Sequence, residues 1–272
     1  MSTAPGWYSD DPATGSLRFW DGVRWTNYVA GRVAPPRPPH PRLPISAAVG
    51  ALLATAAPIV GSRFLLRSLT GFHWPIAVYV AILAVVGYGP ALAWCWYVAR
   101  RWGRWGFRPT IGALPRWSDL GWGPITWLSC LATQIVVGVI VTVVGIPFAG
   151  NLEGTNELGS DRGYVIAVLI VAVVCAPLIE EIVFRGVVLR GLLSRMGPVA
   201  AVGLQGAIFG VAHVDPERGM GNIGLALMLG SVGVILGGAA YLFRRIGPGI
   251  LAHAILNGLA LTLALTGWLV DE

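Results

Sequence analysis

The chain has 272 residues, of which 55% are hydrophobic and only 12% are charged. Soluble domains carry about 25% charged residues, so this composition excludes an ordinary soluble domain. A mean hydropathy of +0.69 favours a membrane protein. All 19 basic residues are Arg, and the net charge is +6. Because most of these Arg residues lie in short segments between apolar runs, we expect the charge to set membrane orientation, and nucleic acid is not predicted as a partner.

Residues 1–30 predict a small cytoplasmic module that contains a β-hairpin. Asp21 and Gly22 lie between two alternating apolar and polar segments, which is typical of a type I′ hairpin turn. The tripeptide Gly6-Trp7-Tyr8, the run Phe19-Trp20-Asp21-Gly22 and the pair Trp25-Thr26 resemble a short Trp-rich domain of unknown function. This resemblance implies no activity. Residues 31–44 then form a Pro- and Arg-rich linker, which we expect to be extended and close to lipid headgroups.

Seven apolar runs follow, each close to the ~20 residues that cross a bilayer core. The predicted spans are 45–62, 74–98, 124–148, 164–193, 198–213, 222–243 and 248–269. The fourth run is long and contains Pro177, so it is either one kinked helix or two helices, and seven or eight spans are both open. The predicted fold is an all-α polytopic transmembrane bundle over residues 45–272, preceded by the β-hairpin module.

The distribution of Arg predicts the orientation of the bundle. With seven spans, fifteen arginines lie on the side of the N-terminus: Arg18, Arg24, Arg32, Arg37, Arg42, Arg100, Arg101, Arg104, Arg108, Arg116, Arg185, Arg190, Arg195, Arg244 and Arg245. The other side has four: Arg63, Arg67, Arg162 and Arg218. Basic residues are enriched in cytoplasmic loops. We therefore predict a multi-pass protein of the plasma membrane with a cytoplasmic N-terminus, in which residues 100–122 lie at the cytoplasmic interface.

Two adjacent carboxylates lie inside an apolar run. Of the 13 acidic residues, only Glu180 and Glu181, in the segment CAPLIEEIVFRGVVL, do so. A charge at bilayer depth costs several kcal/mol and usually marks function. Arg185 follows Glu181 by four residues on the same helical face and is predicted to pair with it. One guanidinium cannot neutralise two carboxylates, so Glu180 either faces a water-bearing cavity or carries a proton, and it is a candidate general base.

Two histidines and an asparagine lie on later apolar helices. His253 and Asn257 are four residues apart, so they project from one face as neighbouring hydrogen-bond donors, which is what an oxyanion requires. Glu180 lies thirteen residues before Leu193, and His213 lies fifteen residues after the start of its own run. At about 1.5 Å per residue, both lie roughly 20 Å from the cytoplasmic end, so we expect Glu180 and His213 to meet.

In this order, Glu180-Glu181-x-x-x-Arg185, Phe209-x-x-x-His213 and His253-x-x-x-Asn257 resemble the three motifs of the CPBP family. The family comprises CAAX-prenyl-protease and bacteriocin-processing (Abi-type) intramembrane proteases, and the resemblance covers residues 164–262. It implies an endopeptidase with its active site inside the membrane. By this resemblance, Glu180 and His213 activate a water and His253 and Asn257 hold the oxyanion, while the positioning residues are Glu181, Arg185 and Phe209.

A metal mechanism competes for the same residues. Glu180, His213 and His253 form a two-His, one-carboxylate set, which suffices for a catalytic zinc ion with an open fourth position. A metal-free glutamate mechanism fits them equally, and we favour it, so Zn²⁺ stays the alternative cofactor. The sequence has no HExxH motif, no GxSG before a buried His and no Asp deep in a span, which argues against the other intramembrane protease types.

The expected partners are the lipid bilayer and a membrane-associated or prenylated peptide or protein substrate. The choice of substrate is not encoded in these motifs. The alternative from another class is a non-catalytic immunity or scaffold protein, or a proton-relay transport protein, that uses the same buried Glu and His residues. No inverted repeat of broken helices, the usual mark of a transporter, occurs in the chain.

Overall fold

A computed structural model describes residues 3–11, 16–30, 43–103, 106–150 and 161–266. The chain divides into two compact units, Met1–His40 and Pro41–Glu272. Most of the predicted linker, and residues 151–160, lie outside the described residues.

The first unit is a three-stranded antiparallel sheet rather than a single hairpin. Its strands are β1 (Gly6–Asp11), β2 (Ser16–Trp20) and β3 (Trp25–Ala30), in the spatial order β1-β2-β3. The prediction of a type I′ turn centred on Asp21 and Gly22 is wrong, because Gly22 has a positive φ of 97° and Asp21 does not. The Asp21 side chain accepts hydrogen bonds from the backbone N–H groups of Val23 and Arg24, which makes Asp21 the first residue of the turn. These bonds hold the pKa of Asp21 below its usual range.

The second unit is a helical bundle, as predicted. Five of its described helices are long and apolar enough to cross a membrane, and two shorter apolar helices, Ile45–Pro58 and Pro198–Val211, coincide with the other two predicted spans. The helices are α1 (Ile45–Leu69), α2 (Ile76–Trp102), α3 (Phe107–Ile111), α4 (Asp119–Val144), α5 (Arg162–Leu192), α6 (Pro198–Val211), α7 (Asn222–Phe243) and α8 (Gly247–Leu265).

Helix α4 begins at Asp119, five residues before the predicted span. Asp119 accepts a hydrogen bond from the Arg116 backbone N–H at 2.9 Å and pairs with Arg245 Nε at 2.6 Å. A carboxylate at a helix N-terminus is favoured by the unpaired N–H groups there. The Ile246 N–H also bonds to the Gly112 carbonyl at 3.1 Å, so the segment before α4 meets the α7–α8 turn.

The fourth predicted span is one helix of 31 residues and does not split at Pro177. It widens instead into π-helical turns, at Ile170–Cys175 and again at Glu181–Val188. Such turns are rare and occur frequently at functional sites. Here they flank the position of Glu180.

Close packing of α6 on α7 sets the position of the later motif residues. A Cβ on Gly210 would collide with the Ala226 carbonyl, and a Cβ on Gly206 would lie 2.7 Å from the Val234 backbone nitrogen. Small residues at such crossings let membrane helices approach closely. Phe209 and His213 are thereby brought against the middle of α5. Helix α8 packs against α4 and against the first π-helical turn of α5.

Candidate active site

Glu180 occupies the last regular turn of α5 before its second π-helical segment, with its side chain 15% exposed. It faces a cavity of about 450 Å³ that is also lined by Tyr88 and His213. The rest of the lining is largely apolar and comes mainly from α1 and α2, including Thr55, Pro58, Leu83 and Gly87. Glu180, for which the sequence predicts no counter-ion, therefore lies on the wall of a cavity, as predicted.

His213 lies beside Glu180 with its tautomer set by the backbone. Its Nδ1 is 2.8 Å from the Phe209 carbonyl oxygen, which can only accept, so Nδ1 carries the proton. In the neutral ring Nε2 is then an acceptor, and it lies 3.7 Å from Glu180 Oε2. This separation is too long for a direct hydrogen bond. Two acceptors that face each other at this distance need a donor between them, and a water molecule supplies two O–H groups.

His253 lies between the two carboxylates. Its Nδ1 is 3.5 Å from Glu181 Oε1, and its Nε2 is 3.9 Å from Glu180 Oε2. The residue is only 5% exposed. Both ring nitrogens therefore face oxygen acceptors, which favours N–H groups at these positions. The expected meeting of Glu180 and His213 is confirmed by their distance, and His253 completes a cluster of three.

The predicted pairing of Arg185 with Glu181 is also confirmed. Arg185 NH1 donates to Glu181 Oε1 at 2.7 Å, and both side chains are fully buried. Arg185 NH2 donates to the Gly233 carbonyl at 3.3 Å. A Cβ on Gly249 would lie 2.5 Å from Glu181 Oε2, so only a glycine lets α8 pass this close. Three helices thus converge on one buried ion pair.

Phe209 connects the ion pair to the histidines. Its ring covers the Arg185 guanidinium, whose central carbon is 4.3 Å from the ring centroid. The same ring is 4.6 Å from the His213 ring and 5.9 Å from the His253 ring, between centroids. Phe209 is 1% exposed. Its position accounts for the spacing of the Phe209-x-x-x-His213 motif, because His213 lies in the turn just after the end of α6, four residues beyond Phe209.

Asn257 makes a different contact from the one expected of an oxyanion donor. Its Nδ2 donates to the Ala172 carbonyl at 2.8 Å. In the π-helical turn the Ala176 N–H bonds to Val171, five residues back. The next residue, Pro177, has no N–H to give to Ala172. Asn257 therefore supplies the hydrogen bond that Pro177 cannot, which leaves its second amide hydrogen for another acceptor.

Tyr88 is the residue of this cluster that the motifs missed. Its hydroxyl donates to Glu180 Oε1 at 3.3 Å from the middle of α2, 92 positions away in sequence. A tyrosine in mid-span is a signal in itself, because a phenol that is buried away from water needs a partner. The sequence does not indicate which residue that partner is.

The fit of a metal ion can be judged from the same side chains. Within the ranges that the structure describes, no three His, Cys, Asp or Glu residues form a group that could hold a metal ion. Glu180, His213 and His253 do converge on one carboxylate oxygen, but they do not form such a group.

Comparison with known proteins identifies two segments. Residues 162–259 match the family described as type II CAAX prenyl endopeptidase Rce1-like. Residues 5–42 match a family described as a protein of unknown function, DUF2510. No curated protein and no solved structure matches the chain. The first match confirms the resemblance to the CAAX proteases and supports a multi-pass membrane protein with an intramembrane protease domain.

Proposed function

We propose that this chain, with its Rce1-like domain at residues 162–259, is an intramembrane endopeptidase that hydrolyses a peptide bond in a membrane-associated or lipidated substrate. The observation that carries the proposal is the pair formed by Glu180 and His213. Their facing acceptor atoms are 3.7 Å apart on the wall of an apolar cavity. A water between them is oriented by both side chains and shielded from bulk solvent.

In the proposed reaction, Glu180 Oε2 takes a proton from this water as the oxygen attacks the carbonyl carbon of the scissile peptide. His213 Nε2 accepts the second hydrogen bond of the water and holds its lone pair toward the substrate. The proton on Glu180 is then delivered to the leaving amine as the C–N bond breaks. General acid–base catalysis of this kind contributes about 10²–10⁴-fold.

His253 is proposed as the principal oxyanion donor. A protonated His253 balances Glu180 and Glu181 against the single charge of Arg185, and it has an Nε2–H to give to the developing oxyanion. Asn257 supports this arrangement through the amide hydrogen that is not bound to Ala172. A preorganised donor is worth about 10²–10³-fold in kcat. Glu181, Arg185 and Phe209 hold the histidines and Glu180 in position.

The cavity suits a substrate that arrives from the lipid. Its walls are mainly apolar, and in its lining Glu180 lies beside His213 and Tyr88. A reconstituted protein in liposomes is expected to cleave a farnesylated peptide that ends in a CAAX box, with the products identified by mass spectrometry. The same peptide without the farnesyl group tests whether the lipid is required. Glu180→Gln should release no product from either peptide.

The proposed chemistry routes no step through a metal, and this is directly testable. Activity should persist in the presence of strong chelators, and the purified protein should contain no stoichiometric zinc. One equivalent of zinc that is lost together with activity in His253→Ala would contradict the proposal and make Glu180 a ligand. The non-enzymatic alternative predicts instead that Glu180→Gln abolishes proton flux in liposomes while the unaltered protein cleaves neither peptide.

A further inference from the structure

Tyr88 lies outside the segment that matches the protease family, yet it contacts the proposed catalytic base. Its hydroxyl donates to Glu180 Oε1 at 3.3 Å, and its side chain lines the same cavity as Glu180 and His213. The ring is carried by α2, which packs against α5 at Arg162–Leu169 and again at Glu181–Val188. Tyr88 therefore reaches the site from a different helix than the three motifs.

The two oxygens of Glu180 have different surroundings. Oε1 accepts the Tyr88 hydroxyl. Oε2 is buried without a hydrogen-bond partner among the described residues, at 3.7 Å from His213 Nε2 and 3.9 Å from His253 Nε2. The terminal torsion of a glutamate has a broad energy profile. Glu180 itself therefore does not determine which direction its free oxygen faces.

We propose that Tyr88 is a positioning residue for Glu180, and that its hydroxyl holds Oε1 so that Oε2 faces the water site between Glu180 and His213. This inference rests on the proposed function. In the reaction the water proton passes to Oε2 while Oε1 keeps the Tyr88 hydrogen bond, so Tyr88 neither gains nor loses a proton. The 3.3 Å separation is longer than the usual ~2.7 Å of such a bond, and we expect it to shorten when substrate closes the cavity.

The variant Tyr88→Phe tests the inference, because it removes only the hydroxyl and keeps the ring in the cavity wall. The matched control is Tyr97→Phe on the same helix, where the ring packs against Trp94 and Trp102. With the farnesylated peptide in liposomes, Tyr88→Phe should lower kcat by about tenfold to hundredfold, the range for a hydrogen bond to a charged group. KM and folded yield should stay within about twofold of those of the unaltered protein. A purely structural role of Tyr88 would instead lower the folded yield.

A second readout does not depend on activity. A 3-fluorotyrosine placed at position 88 reports the environment of the phenol by ¹⁹F NMR in detergent. Its resonance should move when Glu180 is changed to Gln, and a fluorotyrosine at position 97 should not respond. An unmoved resonance at 88 would overturn the inference, because the two side chains would then not interact.

The outcomes separate this inference from the proposed function. If Glu180→Gln is inactive and Tyr88→Phe retains full kcat, the role of Tyr88 is wrong and the proposed function stands. If Tyr88→Phe loses folded yield in proportion to its activity, Tyr88 is structural and the inference is wrong. If Glu180→Gln cleaves as fast as the unaltered protein, the proposed function itself is wrong.

Discussion

Removing Arg185 should unfold the bundle rather than only inactivate it. The guanidinium and the Glu181 carboxylate are both fully buried and lie 2.7 Å apart. Arg185→Ala removes the closest partner of Glu181 and leaves Glu180 and Glu181 with His253 as the one cationic side chain beside them among the described residues. Breaking a buried pair in this way costs about 3–5 kcal/mol, which is a large part of the ~5–15 kcal/mol that stabilises a typical protein. We expect a steep fall in folded yield and in the thermal midpoint.

The assay is fluorescence-detected size exclusion of the detergent-solubilised protein, followed by a thermal melt of the folded peak. The matched control is Glu180→Gln, one residue from the pair, which should keep its yield because Glu180 faces the cavity and, among the described residues, has no ion-pair partner within 3.5 Å. Replacing both members of the pair, as Glu181→Gln with Arg185→Met, should recover most of the loss, since replacing a buried pair by neutral groups of similar volume is often tolerated. A folded yield of Arg185→Ala equal to that of the unaltered protein would refute this prediction, as would an equal loss of folded yield in Glu180→Gln.

A Cβ on Gly87 meets no atom of the described residues within 4 Å, and Gly87 lines the cavity. Gly87→Leu should therefore fill the cavity and raise KM for the farnesylated peptide at least about tenfold. The control Gly89→Leu has the same free space among the described residues but lies outside the lining, so its KM should not change. Asn257→Ala should lower the stability measured in a thermal melt by about 1–3 kcal/mol. The loss should be smaller in a Pro177→Ala background, because residue 177 then has an N–H that can bind the Ala172 carbonyl. Equal losses of stability in both backgrounds would contradict this. Reporter fusions at the two ends of the chain should place the N-terminus inside the cell and the C-terminus outside, and reporters on the same side would contradict the orientation read from Arg.

Local spacing was sufficient to predict the buried ion pair and the meeting of motifs. Arg185 and Glu181 are four residues apart on one helix, so their contact depends on little else. Counting residues from the cytoplasmic end predicts that Glu180 and His213 lie at the same depth, because an α-helix has a fixed rise per residue. The predicted spans correspond to apolar helices for the same reason, since each must be about as long as the hydrocarbon core is thick.

Contacts between distant segments could not be predicted in this way. The hydrogen bond from Tyr88 joins residues 92 positions apart, and the pair of Asp119 with Arg245 joins residues 126 positions apart. Neither has a periodic signature, because each depends on how whole helices pack. The start of α4 at Asp119 was missed for this reason. The sequence predicts only a kink or a break at Pro177 and not the π-helical turn before it. The carbonyl that Pro177 leaves unpaired binds Asn257 of another helix, and this contact between distant segments is not visible in the local sequence.

In the proposed mechanism Glu180, and not its neighbour Glu181, activates the water. The most direct measurement is the rate of cleavage of the farnesylated peptide per folded molecule in liposomes, for Glu180→Gln against the unaltered protein. Removal of the general base should lower this rate by about 10²-fold or more while folded yield is unchanged. A rate per folded molecule equal to that of the unaltered protein would contradict the account.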